Sequence, residues 1–227
     1  MNEKKLTLAL EQALTRITRE TGLVGGVVDV IQGGKVTFTY HYGYADRENR
    51  IPMDQDTLFD VASTSKAWTV MLAAQAIDEG LLTWDGPIRD VIPEFQMTDE
   101  YAAAHLSVRD LASHRSGLPG HDFLREKIFG DRENLMRKLK DLEFSCGFRS
   151  KYQYNNHLFI LLGYLVERAR GGMLWEDQIV KYIAEPLGVD PIRFRGVKAD
   201  MTNIHPALPY CSDGYQAQRC GYATNYH

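Results

Sequence analysis

The stretch Phe59-Asp60-Val61-Ala62-Ser63-Thr64-Ser65-Lys66 decides how this sequence is read. A serine and a lysine stand three apart where a long apolar segment begins. Residues at i and i+3 share a helical face, so the spacing predicts a hydroxyl and an amine meeting at a helix mouth. A serine hydroxyl is a poor nucleophile until a base takes its proton, and a lysine can serve when desolvation lowers its pKa. The structural alternative is a serine N-cap followed by a solvated lysine. A cation in a first turn opposes the helix dipole, however, and Asp or Glu would be the stabilising choice there. The spacing therefore proposes a Ser/Lys acyl-transfer site.

The composition fits a soluble globular protein. At 227 residues, with 44% apolar and 25% charged residues, the polypeptide is long enough to bury a core and form one domain or two intimately packed lobes. A net charge of −4 without a basic stripe argues against nucleic acid as partner. No apolar run approaches the roughly 20 residues needed to span a bilayer. The N-terminal Met1-Asn2-Glu3-Lys4-Lys5 leads into an amphipathic pattern and not a signal peptide, so the expected location is cytoplasmic. Cys146, Cys211 and Cys220 are too few for a disulfide framework. Cys211 and Cys220 have the option of pairing or holding a metal, but no Cys-x-x-Cys or His cluster supports a metal site, and incidental thiols are the expectation.

Periodicity divides the sequence. Residues 4–21 read as a helix, with Leu6, Leu8, Leu10, Leu14 and Ile17 broadly at helical spacing. Val24 to Ile31 and Lys35 to Tyr44 read as strands joined at Gln32-Gly33-Gly34. From Ser63 the pattern turns helical: Lys66 to Glu79, Val108 to Ser113 capped by Ser107, a helix from Asp131 through Leu142, Asn155 to Arg170, and Trp175 to Ile183. The expected organisation is 1–60 as helix and hairpin of a sheet part, 61–195 as a helical region with the catalytic motifs, and 196–227 as a divergent or truncated return.

A second mark is Tyr154-Asn155-Asn156, where a loop meets a helix. A tyrosine there can project its hydroxyl into a cleft as a proton relay, and Asn156 offers an amide donor and a carbonyl acceptor. The bland alternative is a packing aromatic beside a capping Asn.

With both marks in order, the sequence resembles the serine β-lactamase and penicillin-binding protein superfamily, in its class C-related branch. Ser-x-x-Lys is among the marks of that superfamily. The likeness extends over FDVASTSKAWTVMLAAQAIDEGLLTWDGPIRDVIPEF, LSVRDLASHRSGLP and YQYNNHLFILLGYLVERARGG, and covers most of residues 24–190. The resemblance implies an α+β, β-lactamase/transpeptidase-like fold, an antiparallel sheet with packed helices plus a mostly helical region. It implies Ser63 as acylated nucleophile, Lys66 as assisting base, Tyr154 as proton relay and Asn156 as holder of the substrate's amide. It also implies a small-molecule amide, ester or lactam substrate, with no metal or organic cofactor. Which of Lys66 and Tyr154 is the principal base stays open. His114 and Arg115 are expected to shape the block below the site, and a triad of Ser63, His114 and Asp110 is not expected.

The resemblance also implies a third mark, Lys-Thr-Gly or His-x-Gly, on a strand after the helical region, with a backbone N–H that completes the oxyanion hole. No such motif follows Tyr154. His41-Tyr42-Gly43 has the letters but precedes the nucleophile, and reads as strand plus a bulge or turn glycine. Cys211 to His227 lacks strand alternation, so the expectation is a protein truncated at its C-terminal end relative to a complete enzyme. The apolar strand Gly25 to Ile31 would then keep an unpaired edge that invites self-association. Two functions follow: a serine hydrolase acylated on Ser63, or an impaired pseudoenzyme that acts by binding.

Overall fold

The computed structural model describes residues 3–121, 131–189, 206–212 and 217–219. The protein divides into two units, Met1–Asp60 with Asp200–Thr224, and Val61–Ala199 with Asn225–His227.

The first unit opens with helix α1, Glu3–Thr21, followed by strands β1, Gly25–Gln32, β2, Lys35–Asp46, and β3, Ile51–Pro52. They form a three-stranded sheet in the order β1-β2-β3, and both pairings are antiparallel. The β1–β2 turn falls at Gly33 and Gly34, with φ of 57° and 75°. Two successive positive φ values are what a two-residue hairpin requires, and glycine adopts them without steric cost. Gly43 is the other demanding position. Its φ is 70°, and a Cβ there would lie 2.0 Å from the Val24 carbonyl oxygen, so strand β1 can approach β2 only at a glycine. His41-Tyr42-Gly43 is thus a stretch of β2.

Gly25 to Ile31 reads as an interior strand, but in the structure β1 is half-buried along its first half and exposed along its second. Ile31 and Val36 are cross-strand partners, 69% and 60% exposed. Helix α1 is joined to the sheet by a 3.0 Å hydrogen bond between the Thr15 and Tyr40 hydroxyls. Its Leu6, Leu8 and Ile17 remain exposed.

At the far end of the sequence, Ala207 and Leu208 donate backbone hydrogen bonds of 2.8 Å to the Leu58 and Ala45 carbonyls. The tail expected to lack strands contains a short antiparallel pair, β4, Tyr210–Ser212, and β5, Ala217–Arg219. Three residues a side suffice for backbone pairing, so side-chain alternation gives no signal. Among the described residues this pair does not join the three-stranded sheet. Cys211 is disulfide-bonded, which corrects the expectation of an incidental thiol, whereas Cys146 is free.

The second unit is helical. A 3₁₀ turn, Ala62–Ser65, runs directly into α2, Lys66–Asp78. After α3, Glu100–His105, and α4, Val108–Ala112, come α5, Arg132–Lys138, α6, Asn156–Ala169, α7, Trp175–Ile179, and α8, Glu185–Leu187. The helix expected through Leu142 tightens after Lys138 into a 3₁₀ turn at Leu139–Asp141. The one expected through Ile183 becomes a π-helix at Val180–Ala184.

Helix α6 is the centre of this unit, with ten buried residues that include Leu158, Leu161, Leu162, Leu165 and Val166. Helix α2 adds Leu72, Ala73 and Ala76 to the same core. Burying each large aliphatic side chain contributes about 1.5–3 kcal/mol, so this cluster dominates the unit's stability. Around it, Arg132 bridges Glu167 at 2.7 Å and Glu176 at 2.5 Å, tying α5 to α6 and α7. Burial pushes the Glu167 carboxyl above its ordinary value, against the opposing pull of Arg132. Among the described residues, no helix is long and apolar enough to cross a membrane.

Candidate active site

Ser63 lies in the 3₁₀ turn, just ahead of the α-helix proper, and Lys66 is the first residue of α2. The i, i+3 spacing survives because a 3₁₀ turn also brings residues three apart onto one side. Lys66 Nζ donates to Ser63 Oγ at 3.0 Å. The other two hydroxyls of the turn are spent on the backbone. Ser65 Oγ donates to the Ala62 carbonyl at 2.6 Å, and Thr64 Oγ1 donates to the Val61 carbonyl. Ser63 therefore presents the hydroxyl of this turn that faces the lysine. Ala62, immediately before it, has φ 43°, a left-handed conformation that costs a non-glycine residue energy and recurs at functional sites.

Tyr154 reaches the same oxygen from a distant part of the sequence, its hydroxyl 2.7 Å from Ser63 Oγ. It stands in the extended segment just before α6, which Asn155 caps: the Asn155 Oδ1 accepts the Leu158 N–H at 2.9 Å. The completely buried Asn155 also donates from Nδ2 to the Pro119 carbonyl at 2.6 Å. Asn156 is the first residue of α6 and leaves the capping to its neighbour. Its half-buried side chain stands two residues beyond Tyr154.

The Lys66 ammonium lies 5.0 Å from the Tyr154 ring centroid and 5.4 Å from that of Phe159, within cation–π range of both. Phe159 had no signal in the sequence beyond an apolar position on α6. Its role as a wall beside Lys66 exists only once α2 and α6 are packed together.

Behind this cluster, Ser107 and Asp110 form a reciprocal capping box on α4. Asp110 is fully buried and accepts Arg149 Nε at 2.9 Å and Nη2 at 2.7 Å. Burial pushes its carboxyl up, but the hydrogen bonds from Arg149 and Ser107 and the Arg149 charge outweigh that, leaving it below the usual value. Asp110 is thus committed to Arg149, Arg115 and Ser107. Among the described residues, no group of His, Cys, Asp and Glu has the arrangement of a metal site.

A sequence profile of the Beta-lactamase family matches residues 10–207. Among curated proteins, the sequence is 32% identical over 192 residues to a D-aminopeptidase of Brucella anthropi, across 81% of this chain and 35% of that protein. It is 29% identical over 226 residues to the esterase EstB of Burkholderia gladioli, across 92% of this chain and 56% of that one. Among solved structures, a class C β-lactamase from Rhodobacter sphaeroides matches with a TM-score of 0.72 at 27% identity, over 92% of this chain and 56% of the other. An octameric penicillin-binding protein homologue from Pyrococcus abyssi gives 0.78 at 21% identity, over 96% and 50%, a likeness of fold. The chain spans between about a third and just over half the length of these relatives. With the antiparallel sheet and helical unit expected of a β-lactamase/transpeptidase-like fold, and a profile match running through nearly all of its length, the chain belongs to the Beta-lactamase family.

Proposed function

We propose that this protein carries the acyl-transfer site of a serine hydrolase and forms an acyl-enzyme on Ser63 with a small amide, ester or lactam. The observation that carries the reading is the convergence of Lys66 Nζ, at 3.0 Å, and the Tyr154 hydroxyl, at 2.7 Å, on one serine oxygen. Ser63 Oγ attacks the substrate carbonyl carbon while its proton passes to the Lys66–Tyr154 pair, which in the reacting state holds one proton fewer than its full complement. The Lys66 charge offsets the negative charge that builds on the serine oxygen during attack. Collapse of the tetrahedral species breaks the bond to the leaving group, which takes its proton from Tyr154. Water then releases the acyl group by the reverse sequence. The Ser63 N–H, in the first turn of its helix, has no intrahelical acceptor and is one oxyanion donor. Asn156, on the first turn of α6, is our candidate for holding the substrate's amide. Relatives named as a D-aminopeptidase, an esterase and a class C β-lactamase support this range of carbonyl substrates.

The second reading is an impaired member of the family that binds without turnover. It is the reading in which the Ser63 N–H acts without a second oxyanion donor. Loss of one oxyanion donor typically costs about 10²–10³ in rate. A fluorescent β-lactam and a fluorophosphonate probe separate the two. The expected result is covalent labelling, located by peptide mass spectrometry on Ser63 and abolished in Ser63→Ala with circular dichroism unchanged. An adduct on Ser65, Ser116 or a cysteine would refute the assignment, and no labelling would favour the binding-only reading.

A further inference from the structure

The turn that carries Tyr154 is held from both sides by one residue. His114 follows α4 with φ 55°, a left-handed conformation uncommon outside glycine but enriched in histidine. In that conformation its backbone and its side chain face the same segment. The His114 carbonyl accepts the Gln153 N–H at 2.7 Å, and its Nδ1 accepts the Asn155 N–H at 3.1 Å. The residues before and after Tyr154 are thus bonded to the same partner. The buried imidazole also lies against the phenol, with ring centroids 4.6 Å apart, and 4.8 Å from the Phe159 ring.

A ring nitrogen that accepts a backbone N–H carries no proton, so the imidazole is neutral with its hydrogen on Nε2. Its surroundings favour that state. Burial first, and then the Lys66 charge, hold the group below its ordinary value of 6.5. The other titratable groups facing it are the phenols of Tyr152, at 5.4 Å between centroids, and Tyr154. Asp110 and Arg115, in or next to the same helix, are engaged with each other at 3.2 Å.

We propose that His114 is a positioning residue for Tyr154, a neutral imidazole that clamps the 153–155 turn and thereby sets the phenol against Ser63. This rests on the reading of Ser63 and Tyr154 as an acyl-transfer pair. A proton on Nδ1 would face the Asn155 N–H donor to donor, with Lys66 close by, and the turn would have to let go. The site therefore loses its geometry in mild acid while the helical core stays folded.

Two variants and one spectroscopic measurement test this. His114→Asn and His114→Gly both tolerate a left-handed backbone and both lack the ring, but Asn can offer an amide oxygen to the Asn155 N–H. With a fluorophosphonate probe at pH 7, His114→Gly is expected to acylate on the order of 10–100-fold more slowly, the cost of a misplaced reacting group. His114→Asn is expected to recover most of that rate and to lose the wild type's decline as pH falls below the ordinary histidine value of 6.5. Equal rates in the two variants, or a wild-type rate in His114→Gly, would overturn the proposal. The measurement independent of activity is the ¹⁵N spectrum of the His114 ring in the wild-type protein. An unprotonated Nδ1 and a protonated Nε2 at pH 7 are expected, and an Nδ1–H tautomer or an imidazolium sinks the clamp even if His114→Gly fails to fold. A wild type that takes no probe refutes the acyl-transfer reading alone. The clamp is then decided by that spectrum and by whether the Tyr154 ring resonances move in His114→Asn less than in His114→Gly.

Discussion

Two side chains from different segments, one opening α2 and one in the extended stretch before α6, converge on Ser63 Oγ, and that convergence frames the proposed chemistry at the scale of single residues. Lys66 arrives through local spacing, whereas Tyr154 arrives through the packing of α6 beside α2. On the proposed reading, removing the phenol oxygen takes away the proton carrier and little shape. Tyr154→Phe is therefore expected to slow acylation by about 10²–10⁴-fold while leaving the affinity of a non-covalent substrate analogue nearly unchanged. Stopped-flow labelling beside equilibrium titration reads the two quantities separately, and an equal loss in both would remove Tyr154 from the chemistry. Ser63, Lys66 and Tyr154 were legible in the sequence as short patterns in the right order. The contacts of His114 with the backbone on either side of Tyr154 were not, because a hydrogen bond between residues 41 positions apart leaves no periodic signal.

The elements that hold the site are strapped by charge as well as by apolar packing. Asp110, on α4, grips Arg149 bidentately, and the Arg149 N–H donates to the Arg115 carbonyl at 2.9 Å, so the segment leading to Tyr154 is fastened to α4. Arg149 itself has φ 60°, a strain the ion pair helps to offset. Asp110→Asn keeps an acceptor but loses the charge. Its expected cost is about 2–3 kcal/mol at pH 7, below the figure for a fully buried pair because the arginine is half exposed. The sign with pH follows from the depressed carboxyl. Its contribution is complete above the unfolded carboxylate value of about 4 and is lost as pH falls through the lower folded value. Denaturant melts should show a constant gap between wild type and variant from about pH 8 to 5, closing only below about pH 4. A gap that closes between about pH 7 and 5 would point to another group.

The whole molecule combines a well-buried helical unit with a thin sheet unit. β1 pairs with β2 alone among the described residues, and it carries Ile31 beside Val36 of β2, which is also exposed. An unpaired edge with an apolar pair invites a second copy of the protein. We propose self-association through this edge, visible as concentration-dependent sedimentation. Ile31→Lys is expected to weaken it by about tenfold or more, since one buried aliphatic side chain is worth about 1.5–3 kcal/mol. A monomer at all concentrations, unchanged by the substitution, would contradict the proposal.

Hydrophobic period and turn chemistry already determined α1, α2, α4 and α6, the Gly33-Gly34 hairpin and the Ser107 cap, since these depend on residues within one or two turns of each other. The same locality made Ser63 and Lys66 readable as a pair. Only the tertiary structure decided that the Tyr154 hydroxyl meets Ser63 and that Phe159 walls Lys66. It also decided that β1 stays half exposed and that Cys211 is bonded. These are relations between distant segments, fixed by which faces α2 and α6 bury and by how β1 and β2 pack, and no local pattern encodes them.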